Sequence, residues 1–408
     1  MTPAAHIPTD LLTPLGAYLR LRDGAGASFL LESVEQGRLG RHSFIGSGSR
    51  LVSFEEAESV AEPVVGYLAY DQVAKLEPTV PLPGDGPDLP VSRFVVADTL
   101  VRFDHGSGTA EVLHGEVDEV AARLERELVF QEHKPASGGE TRRFPEQAVY
   151  EDGVRRIKEL IRAGDAFQVV LSQRAERPTS ASALELYRAL RRVNPSPYLF
   201  LLELGDLALI GSSPETLVKC EAGVASLNPI AGTTEPGDGD AERLLASEKD
   251  RAEHVMLVDL GRNDLSRACE PGSVRVARYL EPERFSHVTH LVSEVSGRLR
   301  DGVGPFDLLR AAFPAGTVSG APKVRAMQIV SELEGYRRGP YAGAVGYVLP
   351  DGTMDTCIAI RTIVLAGGVA RMQAGAGIVA DSDPAAEHRE CLSKLAALEA
   401  AIDLAEGR

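Results

Sequence analysis

Tyr150, Val154, Ile157 and Ile161 recur at steps of four, three and four, which places them on one face of a helix, and Gly164 follows as its stop. The next apolar run, residues 167–172, has the length and composition of a strand. Similar short runs predict strands over 64–70, 94–101, 198–204, 207–211, 217–220, 343–348, 357–364 and 376–379. Helical spacing covers 241–257, 306–312, 321–333 and 384–401. The strands cluster in antiparallel-looking groups, and the helices fall between them without βαβ regularity. That order predicts an α+β protein rather than a doubly wound parallel sheet. The chain shows no internal repeat of fixed period.

Residues 132–140 are polar and broken by Pro135, Gly138 and Gly139, so they predict a linker between an amino-terminal region, 1–135, and a larger region, 141–408. Residues 78–90 hold five prolines and read as a loop. At 408 residues the chain is long enough for two or three domains or one large two-layered unit. Its 44% apolar and 25% charged residues exclude disorder. A formal charge of −16 argues against nucleic acid and anionic membranes as partners. The absence of tryptophan removes the best stacking platform for bases. No apolar run reaches the roughly 18–20 residues of a membrane helix, and Met1–His6 lack the blocks of a signal peptide. Cys220, Cys269, Cys357 and Cys391 are far apart, which suggests neither a zinc site nor a disulfide framework. The expected compartment is the cytoplasm.

The last predicted helix carries the most chemistry. Pro384 suits its first turn, with Ser382 or Asp383 as N-cap. Glu387, Glu390 and Lys394 then fall within an arc of about 60°. Asp250 and Glu253 are three apart on the 241–257 helix, beside an apolar stripe through Ala246 and Leu257. Two carboxylates on each of two helices could hold a hard cation such as Mg²⁺, which prefers oxygen ligands. The same spacing is also common on a solvated helix face. Alternation along 357–362 puts Arg361 with Cys357 and Ala359, either as a carboxylate clamp or as an edge residue reaching solvent. Gly375 and Gly377 let backbone N–H groups approach an anion. They fit GxGxxA, yet they are expected to open a strand rather than join a strand to a helix, which excludes a dinucleotide fold. The Gly/Ser-rich turn 313–323 lacks phosphate-loop spacing before Lys323. His287 and His290 could serve as general acid or base, or could be buried structural histidines. No Cys-His pair or GxSxG elbow supports nucleophilic catalysis.

Taken in order, residues 252–264 (Ala-Glu-His-Val-Met-Leu-Val-Asp-Leu-Gly-Arg-Asn-Asp), 313–323 and 373–382 resemble the chorismate-utilising enzymes, and among these the anthranilate synthase large subunits. The amino-terminal stretches 30–35 and 40–46 share the resemblance, which covers nearly the whole chain. It implies a large unit of two packed sheets with the site in a cleft between them. It further implies Mg²⁺ carboxylates at Asp250, Glu253, Glu387 and Glu390. Substrate contacts are implied at Gly232, Thr233, Tyr341, Arg361, Lys394 and the backbone of Gly375, Ala376 and Gly377. His290 and Thr317 match positions beside the enolpyruvyl group and ring. Glu215 matches the acid that protonates the departing C4 hydroxyl, a role that requires a raised pKa.

Two positions separate the reactions of such enzymes. Members that add water at C2 carry a lysine base where this chain has Gln168. Members that aminate at C4 carry a nucleophilic lysine where this chain has Ala231. The resemblance therefore implies ammonia as nucleophile at C2, then loss of pyruvate to give anthranilate. None of the cysteines sits in a glutaminase elbow, so a separate glutamine amidotransferase subunit is implied as the ammonia source. Leu31, Glu32, Ser33, Pro197 and Tyr198 match a tryptophan feedback site; the alternative is a plain strand and a Pro-rich turn. Three departures stand out: Asn228 in place of an arginine, Thr234-Glu235-Pro236 in place of a basic continuation, and Asp250 in place of a glutamate. Alternative functions are 2-amino-2-deoxyisochorismate synthesis without elimination, aminodeoxychorismate synthesis, and a catalytically silent sensor of tryptophan or chorismate.

Overall fold

The strand Tyr198–Glu203 holds four consecutive buried apolar residues, which is possible only when both faces of a sheet are covered. Leu199 and Leu201 pack into a core with the helices Pro14–Leu21, Ala183–Val193 and Pro384–Ala405. Phe200 and Leu202 point the other way, into a core shared with Val65, Tyr67, Val95 and Val345. These last four residues belong to a second sheet. Its far face packs in turn on the helices Glu248–Ser266, Pro305–Ala312 and Lys323–Glu334. The result is four layers: helices, sheet, sheet, helices. Each large apolar side chain removed from water contributes roughly 1.5–3 kcal/mol.

The computed structural model describes residues 6–22, 26–33, 41–128, 138–234, 237–284 and 289–408. Its first sheet has twelve strands and its second has ten, and the named strands pair antiparallel throughout. Strands from both sides of the expected linker share each sheet. Ala27–Glu32 pairs with Tyr198–Glu203, and Val64–Leu68 pairs with Ala344–Val348. Residues 132–137 of that linker lie outside the described residues. The α+β expectation and the two packed sheets agree with this architecture. Among the described residues, no helix is long and apolar enough to cross a membrane.

Two expected strands are each two strands in different sheets. The run 94–101 divides into Ser92–Val96 in the second sheet and Thr99–Asp104 in the first. Between them Asp98 turns the chain and accepts the Ser49 N–H at 2.7 Å. The run 357–364 divides into Met354–Ile358 in the second sheet and Thr362–Ala366 in the first. Ala359, Ile360 and Arg361 carry the chain from one layer to the other, with Arg361 at φ 49°. Arg361 is therefore not on a strand face with Cys357, as alternation suggested. Apolar residues that cross between two layers stay buried throughout, so hydropathy alone cannot mark the change of sheet.

Other boundaries also move. The helix expected over 241–257 is two helices, Asp240–Ala246 and Glu248–Ser266, divided at Ser247, whose side chain caps the second by accepting the Asp250 N–H at 3.2 Å. The final glycine strand is Val369–Ile378, so Gly375 and Gly377 lie near its end rather than opening it. Its small inward residues, Ala370, Ala374 and Ala376, had masked its alternation.

Candidate active site

The strands Gln168–Pro178 and Val369–Ile378 lie side by side, with Val170 opposite Gly377 and Ser172 opposite Gly375. The Val170 N–H is taken by Ser319 O at 2.9 Å and the Ser172 N–H by Glu334 Oε1 at 2.9 Å. Both are therefore non-hydrogen-bonded pairs of the antiparallel ladder. The N–H and C=O groups of Gly375 and Gly377 consequently face away from Gln168–Pro178. On that side the neighbouring strand pairs only as far as Ile363 opposite Met372, because Arg361 has turned the chain out of the sheet. A short stretch of strand edge thus presents backbone donors to a cleft. The absent side chains matter: a Cβ on Gly375 would lie 2.8 Å from the Tyr341 hydroxyl, and one on Gly377 would lie 2.4 Å from Gln168 Nε2.

Cationic groups border this edge. Lys394 Nζ donates to Gly375 O and to Glu390 Oε1, both at 2.8 Å. Arg361 makes no side-chain hydrogen bond or ion pair among the described residues, yet its charge is felt at both Glu215 and His290. Burial pushes the Glu215 carboxyl up to about 7, against the pull of Thr317, Lys394 and Arg361. Backbone bonds fix Glu215 in place: its N–H donates to Ser213 Oγ at 3.3 Å, and its C=O accepts the Ile358 N–H at 3.0 Å. Thr317 sits on the turn Gly316–Val318, its hydroxyl directed toward Glu215 without closing a full bond; Oγ1 is buried and has no partner among the described residues. Beside the two, a cavity of about 40 Å³ reaches along the Glu248–Ser266 helix to Asp264.

His290 closes another wall. Its Nδ1 donates to Gly232 O at 3.1 Å, which requires the proton on Nδ1. Burial and the Arg361 charge lower its pKa, so the ring is neutral near pH 7. Gly232 itself sits at φ 76° in a bulge between Ala231 and Thr233, and a Cβ there would approach Asp250 Cβ to 3.1 Å. Thr233 is the register partner of His290. Ala231 is buried, with no amine at this position. His287 lies outside the described residues.

The acidic arms come from two helices. Asp383 caps the last helix by accepting the Ala386 N–H at 2.8 Å, which settles the choice between Ser382 and Asp383. Burial raises the pKa of Glu253, and the charges of Asp250 and Glu390 raise it further. Glu387 is raised by burial and by Glu390. Lys249 pulls both Glu253 and Glu387 back, so the two helices share one pocket. The Gln168 carboxamide lies against Glu253 and stabilises its charge. Among the described residues, no three acidic, histidine or cysteine side chains already stand close enough to hold one ion. The donor set is nonetheless all oxygen, and neighbouring carboxylates add to the burial that raises Glu253 and Glu387, which is the condition a hard dication relieves.

Leu31, Glu32, Ser33, Pro197 and Tyr198 come together elsewhere, lining a cavity of about 500 Å³ between the sheets. Ser33 Oγ donates to Pro197 O at 2.9 Å, and Tyr198 OH lies 2.7 Å from Thr216 Oγ1. The first segment is a strand, Ala27–Glu32, and at the same time a cavity wall. Sequence reasoning missed Lys249, Ser172, Glu334 and Arg338. Arg337-Arg338 ahead of a Gly-Pro turn reads as a solvated basic pair, and only the fold shows Arg338 to be buried.

The family profile described as chorismate binding enzyme matches residues 20–400 of the chain. Anthranilate synthase component 1 of Streptomyces coelicolor is 44% identical over 97% of this chain and 88% of its own length. The Thermus thermophilus protein of the same name is 43% identical over 97% of this chain and 96% of its own. The crystal structure of anthranilate synthase component I from Streptococcus pneumoniae superposes with a TM-score of 0.80 at 34% identity, covering 97% of this chain and all of that one. The menaquinone-specific isochorismate synthase of Escherichia coli shares the fold, with a TM-score of 0.78 at 20% identity. With nearly its whole length matched at this level, the chain belongs to the chorismate binding enzyme family, alongside the anthranilate synthase component 1 proteins.

Proposed function

We propose that the chain is the aminating subunit of an anthranilate synthase, converting chorismate and ammonia to anthranilate and pyruvate. The observation that carries the choice of nucleophile is the pair Gln168 and Ala231: the pocket offers no lysine at either position to activate water or attack the ring itself. Arg361, Lys394, Tyr341 and the N–H groups of Gly375 and Gly377 receive the substrate's carboxylates, while Ala376, paired with Leu171, spends its N–H on the neighbouring strand. Asp250, Glu253, Glu387 and Glu390 would hold Mg²⁺, which supplies positive charge to a substrate carboxylate. Glu215, with its pKa near 7, keeps a proton to give to the C4 hydroxyl as that group leaves and ammonia bonds to C2. Neutral His290 and Thr317 stand by the enolpyruvyl group, which departs as pyruvate while C2 gives up its proton and the ring becomes aromatic.

The relatives are named component 1, which supports a second component, read here as a separate glutamine amidotransferase that supplies the ammonia. The test is incubation with chorismate, Mg²⁺ and ammonium. Blue-fluorescent anthranilate with equimolar pyruvate supports the reading. A non-aromatic aminated product without pyruvate, or a 4-amino product, overturns it.

A second reading concerns the 500 Å³ cavity. Several of its charges have partners: Lys219 with Asp355 at 2.9 Å, and Glu32 with Arg191 at 3.3 Å and with the Tyr187 hydroxyl. A lining that offers charges of both signs around Phe44, Phe200 and Tyr347 suits a zwitterion with an aromatic body. This supports tryptophan as an effector, tested by inhibition of turnover.

A further inference from the structure

We propose that Arg338 is a positioning residue for chorismate binding, holding the Thr317 turn and the Tyr341 ring in register with the glycine edge through one buried guanidinium. The side chain is 1% exposed, and its donors are spent on several separate elements. Nε and Nη2 form a fork with Glu334 at 2.8 and 2.7 Å. Nη1 donates to Val318 O at 2.7 Å, one residue beyond Thr317. Nη2 also donates to Val170 O at 2.8 Å, on the strand that carries Gln168 and opposite Gly377. The cation lies 5.5 Å from the centre of the Tyr341 ring and 4.7 Å from that of Tyr70. Glu334 extends the hub, because the oxygen that takes Arg338 Nη2 also accepts Ser172 N at 2.9 Å and Ser172 Oγ at 2.6 Å. Gln373 closes the circuit by donating to Ser172 Oγ at 2.7 Å, two residues before Gly375.

The geometry makes this more than a buried ion pair. A pair that served stability alone would need only Glu334. Here the remaining donors go to two backbone carbonyls, each on a different wall of the cleft, and the guanidinium plane stands by the phenol whose hydroxyl overhangs Gly375. Only a planar, forked cation can serve these directions at once; a lysine ammonium keeps the charge but cannot hold them all. Loosening it therefore shifts Thr317, Tyr341 and the Gln168 strand relative to one another while leaving the chemically active Glu215 and His290 tethered by their own backbone contacts.

The inference rests on the reading of Tyr341 and Thr317 as substrate contacts, and the experiment separates the two. Steady-state kinetics on the full chain, with ammonium as nitrogen source and saturating Mg²⁺, compare Arg338→Lys, Tyr341→Phe, Thr317→Ala and the two doubles with Arg338→Lys. Arg338→Lys should raise KM for chorismate about tenfold while kcat stays within about threefold. Each double should fall short of the product of its single effects, the signature of coupled sites. An unchanged KM, a loss of kcat that follows the fraction unfolded in a thermal melt, or multiplicative effects in both doubles overturns the proposal. If Tyr341→Phe leaves KM unchanged, Tyr341 is removed as a substrate contact, and Arg338 is judged on the Thr317 cycle. Should Arg338→Lys fail to fold, Glu334→Gln weakens the same fork; a raised KM there supports the proposal, and an unchanged KM overturns it.

Discussion

The cleft and the cavity between the sheets are lined by similar residue types arranged in opposite ways. In the cleft, like charges face each other: Asp250 and Glu390 raise Glu253, Glu390 raises Glu387, and among the described residues Arg361 has no ion pair and the buried Thr317 Oγ1 has no bond. In the cavity, Lys219 meets Asp355, and Glu32 meets Arg191 and Tyr187. A pocket that leaves its charges uncompensated is built to be completed by ions of opposite sign, because each buried charge costs free energy until it is paired. A pocket that offers both signs, with Lys219 and Glu32 already partnered, favours a guest carrying both signs. One region is prepared for charge-driven chemistry, the other for occupancy without chemistry.

The comparison breaks most readily at the acidic arms. Glu390→Ala should lower Mg²⁺-dependent turnover by more than about a thousandfold, since a metal ion supplies several kcal/mol of charge stabilisation. The melting temperature without Mg²⁺ should change little, because removing one of several repelling carboxylates does not open the core. Full activity in this variant would take Glu390 out of the site.

Glu215→Gln comes next, with an expected fall in kcat of about 10²–10⁴, the usual worth of a positioned general acid. The pH profile sharpens it. Burial raises the Glu215 pKa to about 7, so the proton is present below that value and lost as pH rises through it. At a fixed concentration of free ammonia, kcat should fall on the alkaline side near pH 7, and the glutamine variant should lose that limb. A wild-type profile flat through this range would assign the proton elsewhere.

Ala231→Lys places an amine beside Gly232 and His290, and should cut anthranilate formation about tenfold or divert it to another product, as read by chromatography. Smallest is Ser33→Ala. It removes one hydrogen bond to Pro197 O, worth about 1 kcal/mol, and should weaken tryptophan inhibition about fivefold with kcat unchanged. Altered turnover without tryptophan would mean that the two regions are not separate.

Much of the cleft was legible because its residues sit in long ordered runs. Glu387, Glu390 and Lys394 needed only helical spacing and one cap, and the structure gives them one helix with Asp383 at its head. Arg361 was found, but its setting was not. Its run is apolar on both sides, and nothing in hydropathy distinguishes one long buried strand from two that change layers. The division at Ser247 was hidden for a related reason: a serine inside helical spacing looks neutral until its hydroxyl is seen to cap the next turn. Arg338 was out of reach altogether. An arginine beside another arginine is ordinarily solvated, and only tertiary packing decides otherwise. The cavity between the sheets was legible as segments and not as a space, because its walls come from strands far apart in the chain.

The strand Met354–Ile358 contributes Asp355 and Cys357 to that cavity, and the chain reaches Arg361 four residues after Cys357. Four residues of extended backbone span about 14 Å at most. Anything that wedges the two layers apart at Cys357 therefore acts on a short connection, whose turn at Ile358–Ile360 is all that separates it from the residue bearing the guanidinium.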